Sequence, residues 1–197
     1  MEQFTYPGVN LHHTIELMLT RVSCPKLSLP APDEAQLQLM LQCALRAPDH
    51  GRLHPWRYLG VRGDAREQLG GLFADEQQRL NPGIAADKLD KCRQMLLRAP
   101  LVVVAVCSPL DNVKVPQLEQ LLSCAAGVQQ LQLAANALGF HSIWRTGDMV
   151  NSQAVREALG LAVQEVIVGF VYVGTATEVP SVTHLPVSDF YQDWSAS

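Results

Sequence analysis

Apolar positions along the chain recur at two spacings, and the changes between them divide it into elements. Leu11, Ile15, Met18 and Leu19 stand at three- and four-residue steps, one face of a helix that ends at Ser23, Cys24 and Pro25. Leu37, Met40, Leu41, Ala44 and Leu45 form a second helical stripe, with Asp33 placed to cap it and Gln36 at the reciprocal capping position. Residues 57–62 read as a strand. Asp64 with Glu67 is expected to open a third helix carrying Leu69, Leu72 and Phe73, which Asn81, Pro82 and Gly83 break, and a fourth helix is expected over about 85–97. Residues 101–107 are an unbroken apolar, mostly β-branched run, so they predict a strand buried on both faces, with helices on either side. The longest helical pattern covers residues 116–138, opened by Pro116, stopped by Gly139 and small-sided at Cys124 to Gly127. Its broad apolar surface fits either a core helix or one partly covered at a subunit interface. A strand over 140–144 then runs into the polar turn Arg145, Thr146 and Gly147, Ser152 starts a short helix, and residues 166–173 form another buried strand.

This order predicts a single α+β domain over residues 1–197, a mixed central β-sheet flanked by helices. Residues 1–10 have no period and read as an N-terminal arm. Residues 178–197, with Phe190, Tyr191 and Trp194, make a poor independent element and are expected to pack as a C-terminal tail on a partner subunit.

Composition narrows the function classes. A chain of 197 residues with 48% hydrophobic content and mean hydropathy +0.06 is globular, and a domain of this size buries roughly 70% of its unfolded surface. The net charge of -4, from 15 basic against 19 acidic residues, leaves no footprint for nucleic acid or an anionic membrane. No apolar run approaches the roughly 20 residues of a membrane span, and no basic and apolar signal segment opens the chain, so a cytoplasmic location is expected. Cys24, Cys43, Cys92, Cys107 and Cys124 form no C-x-x-C and sit mostly inside apolar patterns, where a free thiol behaves as a small hydrophobe.

The common dinucleotide, P-loop, hydrolase-elbow and zincin motifs are absent. His50 and His54 have a metal-like spacing, but Gly51 and Pro55 oppose the helix that would align them, and no metal is expected. What remains is a set of anion- and ring-binding groups at element ends: Arg21 and Ser23 after the first helix, Arg46 and His50 on the loop that runs to Trp56, and Arg145 with Thr146 after a strand. Guanidinium groups pair with phosphate in a bidentate fork and hydroxyls add donors, which suits a phosphorylated cofactor rich in heteroatoms.

Four blocks in consistent order then resemble a known family: Thr20 to Ser23; Arg46 to His50 with His54, Pro55 and Trp56; Gly139 to Gly147; and Val168 to Gly174. Together they resemble the nitroreductase family, closest to its compact YdjA-type branch. The resemblance implies FMN at the interface of a homodimer, NAD(P)H as electron donor and a small-molecule acceptor such as a nitroaromatic or quinone. Carried over by position, Arg21, Val22 and Ser23 would hold the phosphate end of FMN, Arg46 and His50 would reach it from the other subunit, and Trp144, Arg145 and Thr146 would line the ring. His50 is also a candidate proton donor. The branch usually has a second Arg where this chain has Val22, and often Gln where it has His54. Family members also dehalogenate substrates or fragment flavin, and a non-catalytic FMN-binding role remains open, because fold does not fix function.

Overall fold

A strand without polar side chains folds stably only if both of its faces are covered. β3 (Leu101–Cys107) is buried along its whole length. Its side chains alternate between two cores. Leu101, Val103, Ala105 and Cys107 join a cluster with α2 (Glu34–Ala44) and α5 (Gln117–Ala137), while Val102, Val104 and Val106 join a second with α3 (Ala65–Leu80) and α6 (Gln153–Ala158). The helices required on both sides are therefore present.

The computed structural model describes residues 13–111 and 114–195; the N-terminal arm and Leu11 lie outside them. Its other elements are α1 (His13–Thr20), β1 (Leu27–Ser28), β2 (Trp56–Arg62), α4 (Ala86–Arg93), β4 (His141–Arg145) and β5 (Val166–Ala176). β5 is the hub of the sheet, pairing β3, β4 and β1, while β2 adds to the far side of β3. All four of these ladders are antiparallel. Among the described residues the mixed character expected of the sheet is confined to one isolated parallel bridge, Ser23 with Ser142.

Local chemistry explains most boundaries. The Asp33 carboxylate accepts from the Gln36 amide at 2.8 Å and the Gln36 side chain accepts from Asp33 N–H at 3.0 Å, so the expected capping box opens α2. Asp64 does not cap α3. Its backbone is already helical (φ -65°), which takes its carboxylate out of the extended position from which a cap reaches forward, and no side-chain cap bond forms. The fourth helix is shorter than expected: α4 stops at Arg93 and a 3-10 turn at Met95–Arg98 follows, fully burying Leu96. Residues 75–90 are mostly the end of α3 and the start of α4, on either side of the break expected at residues 81–83.

The small residues in α5 allow close packing, as their size suggested. A Cβ on Gly127 would stand 2.5 Å from the Tyr58 hydroxyl and 3.3 Å from the Ala44 carbonyl oxygen, so α5 approaches β2 and the end of α2 there with no room to spare. Farther toward its N-terminus α5 exposes Leu118 and Leu122. Among its described residues the tail beyond β5 has only a 3-10 turn, at Val187–Asp189, and Phe190, Tyr191 and Trp194 are exposed. No helix among the described residues is long and apolar enough to cross a membrane.

Candidate functional site

Trp144 is set by an irregularity in β5. Pairing of β3 with β5 shifts register between Ala105 and Val106, so Val168 is left without a partner in that ladder. The freed Val168 carbonyl accepts the Trp144 indole N–H at 3.2 Å, and the ring lies over Gly169, where a Cβ would stand 2.1 Å from the indole nitrogen. A bulge thus creates both the acceptor and the space that the indole needs. Arg145 closes β4, and exposed Thr146 leads into Gly147, at φ +98°.

The segment Arg21, Val22 and Ser23 is fastened to the same strand. Ser23 bridges Ser142, the Cys24 amide donates to the Ser142 carbonyl at 3.1 Å, and the buried Gln132 amide donates to the Ser142 hydroxyl at 3.1 Å from below. Arg21 N–H still donates to Leu17, at 3.1 Å, as an extra residue of the α1 ladder. Ser142, two residues before Trp144, therefore joins Arg21–Ser23 to Trp144–Thr146. Burial pushes the Cys24 thiol above its ordinary range, partly countered by Arg21, so the protein favours an inert thiol rather than a reactive thiolate there.

Arg46 follows the last turn of α2, where its N–H donates to Cys43 at 3.0 Å. The loop then folds back on itself through left-handed backbone at Gly51, Arg52 and His54 (φ +73°, +55° and +50°). Such conformations cost non-glycine residues of order 1–3 kcal/mol each and persist only where the surroundings enforce them. The mostly buried Asp49 carboxylate supplies part of that enforcement by accepting His54 N–H at 2.8 Å. Arg46, Asp49, Arg52, His54 and Trp56 line a polar cavity of about 250 Å³. His50 is exposed in the short 3-10 turn and does not line it. Trp56 is half-buried and serves both the apolar core and this cavity.

Within one chain the candidate residues thus form two groups, and among the described residues no hydrogen bond or ion pair joins Arg46 and His50 to Arg21–Ser23 or Trp144–Thr146. A second cavity, of about 230 Å³, begins at Thr146 and runs to Phe73, Cys92, Met95, Phe170 and Tyr172. The sequence reading did not single out Arg52 or this wall. Arg52 lay in the same polar loop and could have been included; Phe73, Cys92 and Met95 carry no local signal, because only tertiary packing sets α3 and α4 beside the end of β4.

This architecture recurs in solved structures. A nitroreductase-like family protein from Bacillus cereus superposes with a TM-score of 0.76 at 20% identity, covering 95% of this chain and 99% of that one. A mutant of NfnB, an FMN and NADPH-dependent nitroreductase from a strain of "sphigopyxis", gives 0.74 at 19% identity over 94% and 100% of the two chains. The fold is that of the nitroreductases. The Nitroreductase family profile matches residues 18–175, and the Escherichia coli (strain K12) protein named "Putative NAD(P)H nitroreductase YdjA" is 39% identical over 175 residues, 89% of this chain and 94% of that one. The chain belongs to the nitroreductase family.

Proposed function

We infer that the protein is an FMN-dependent oxidoreductase that takes hydride from NAD(P)H and reduces quinones, nitroaromatics or similar electron-poor compounds. The observation that carries this reading is the junction through Ser142, which joins a segment carrying a cation and a hydroxyl, Arg21–Ser23, to the strand that ends at Trp144 and Arg145. The state of the arginines supports it. Arg57, Arg66, Arg79, Arg93 and Arg156 are each held by a carboxylate or carbonyl, whereas Arg21, Arg46 and Arg145, like Arg52, Arg62 and Arg98, make no side-chain hydrogen bond or ion pair among the described residues. Guanidinium groups left available in this way fit a phosphorylated, heteroatom-rich cofactor. The similarity to a protein described as FMN and NADPH-dependent supports the same cofactors here.

When bound, FMN supplies the redox chemistry: two electrons pass as hydride from NAD(P)H, then to an acceptor that takes up two protons, a quinone becoming a hydroquinone or a nitro group becoming a nitroso group and water. The chain binds and orients. Arg21 and Ser23 hold the phosphate end, with Val22 giving no side-chain donor there. Trp144, Arg145 and Thr146 would line the ring, where the Arg145 charge would favour its anionic reduced form. Arg46 and His50 complete the site from a second copy of the chain, and the exposed imidazole of His50 is a candidate to hand a proton to the reduced acceptor. The homodimer this requires would cover Leu118 and Leu122 of α5 and the aromatic side chains of the tail, all exposed in the single chain. A cytoplasmic setting, where NAD(P)H is available, follows from the same reading.

The test is the visible spectrum of the purified protein during anaerobic addition of NADPH and then NADH. Flavin bands that bleach support the reading; a colourless protein that cannot be reconstituted with FMN would overturn it. Arg21→Ala is expected to lose FMN on gel filtration while keeping its circular dichroism spectrum. Full FMN occupancy in that variant would remove the phosphate role.

A further inference from the structure

The cavity that begins at Thr146 has a composition and a size that restrict what can enter it. Phe73 and Phe170 meet edge to face with ring centroids 5.3 Å apart, and Tyr172 lies two residues along β5 from Phe170. Cys92 of α4 and Met95 of the turn after it add polarizable sulfur, which packs favourably against aromatic rings. Polar groups enter with Thr146, Gln77 and Asp148, the Gln77 amide donating to the Asp148 carboxylate at 3.3 Å; that carboxylate, which disfavours an anionic ligand, is the charged group of the lining, and no Lys, Arg or His side chain is part of it. The volume of about 230 Å³ exceeds the roughly 150 Å³ in which an apolar protein cavity holds benzene and falls short of the roughly 300–1,000 Å³ of sites for larger organic ligands. One ring with a small substituent fits; three fused rings do not.

We propose that this cavity receives the electron acceptor as a single-ring, uncharged aromatic or quinone compound, and that Phe73, Cys92 and Met95 set the upper limit on its size. The proposal rests on the FMN reading above, since Thr146 belongs both to the ring-lining end of β4 and to the cavity. Substrate range then depends on α3 and α4, which carry none of the cofactor-binding residues.

Two measurements on the FMN-loaded protein test it. Cys24, Cys107 and Cys124 are buried, so in a Cys43→Ser variant Cys92 is the remaining half-buried thiol. The oxidised holoprotein of that variant is treated with N-ethylmaleimide and the labelled peptides are identified by mass spectrometry, with nitrobenzene or 9-nitroanthracene present. Labelling of Cys92 is lost with nitrobenzene and retained with 9-nitroanthracene; protection by neither, or equally by both, overturns the proposal. Separately, Met95→Trp fills the cavity and lowers kcat/KM for nitrobenzene about tenfold relative to ferricyanide, an outer-sphere oxidant that needs no pocket. Met95→Phe serves if the larger ring prevents folding. An unchanged ratio overturns the proposal. Failure of NAD(P)H to bleach the flavin would sink the FMN reading instead, while thiol protection, which needs no turnover, still decides whether the cavity takes one ring.

Discussion

Trp144 shows how much a single position in the site depends on a residue that no functional argument would select. Its indole is held by the Val168 carbonyl at 3.2 Å and stands where any side chain on residue 169 would be. Gly169→Ala is therefore expected to eject the ring and to cost about 1–3 kcal/mol in overpacking. Tryptophan fluorescence should shift, FMN should be held more weakly, and the chain should still fold, because both cores are otherwise intact. An unshifted spectrum with normal FMN retention would mean that the indole placement does not serve the site. The same scale explains why the loop residues divide as they do. Asp49 is spent on the His54 amide, while the Arg46 guanidinium has no partner among the described residues.

At the scale of elements, the connection from α6 to β5 is fixed by one buried carboxylate. Glu165 accepts from Arg57 of β2 at 3.0 Å and from the Ala162 amide at 2.9 Å, and it also takes the Ser108 hydroxyl. Burial alone would raise the Glu165 pKa, but Ser108, Ala162, Arg57 and Arg156 together outweigh it and hold the carboxyl below its ordinary range. A carboxyl depressed in the folded state adds stability that is complete above its unfolded pKa, about 4.3, and disappears as the pH falls through the folded value. Thermal melts should therefore show Tm declining as the pH is lowered from about 6 to 3, with part of that decline absent in Glu165→Gln. At neutral pH the substitution should cost about 1–2 kcal/mol, a modest figure because Arg57 is itself partly solvated. A Tm profile identical to that of the unaltered protein would show that the network does not bear on stability. Of these elements, β2 to β5 and the capping box of α2 were legible in the sequence, while the two-residue β1 was not. The failure of Asp64 to cap α3 was not, since it depends on the backbone angle that follows Gly63.

At the scale of the whole molecule, neither core uses a buried residue beyond Val173 among the described residues. Removing residues 180–197 should accordingly leave a folded protein, and light scattering should find it monomeric and poor in FMN if the tail clasps a second copy. A truncated protein that remains dimeric and yellow would assign the tail another role. Period and turn chemistry in the sequence by themselves determined the element order apart from the two-residue β1, the doubly buried strands and the clustering of arginines and polar residues at element ends, because hydrophobic spacing and proline or glycine breaks are local properties of the chain. Which of those ends meet was decided only in three dimensions. The bridge from Ser23 to Ser142, the bulge that seats Trp144, and the wall that α3 and α4 set beside Thr146 join residues far apart in sequence, and such contacts follow from the register of β5 and the packing of both sheet faces rather than from any local pattern.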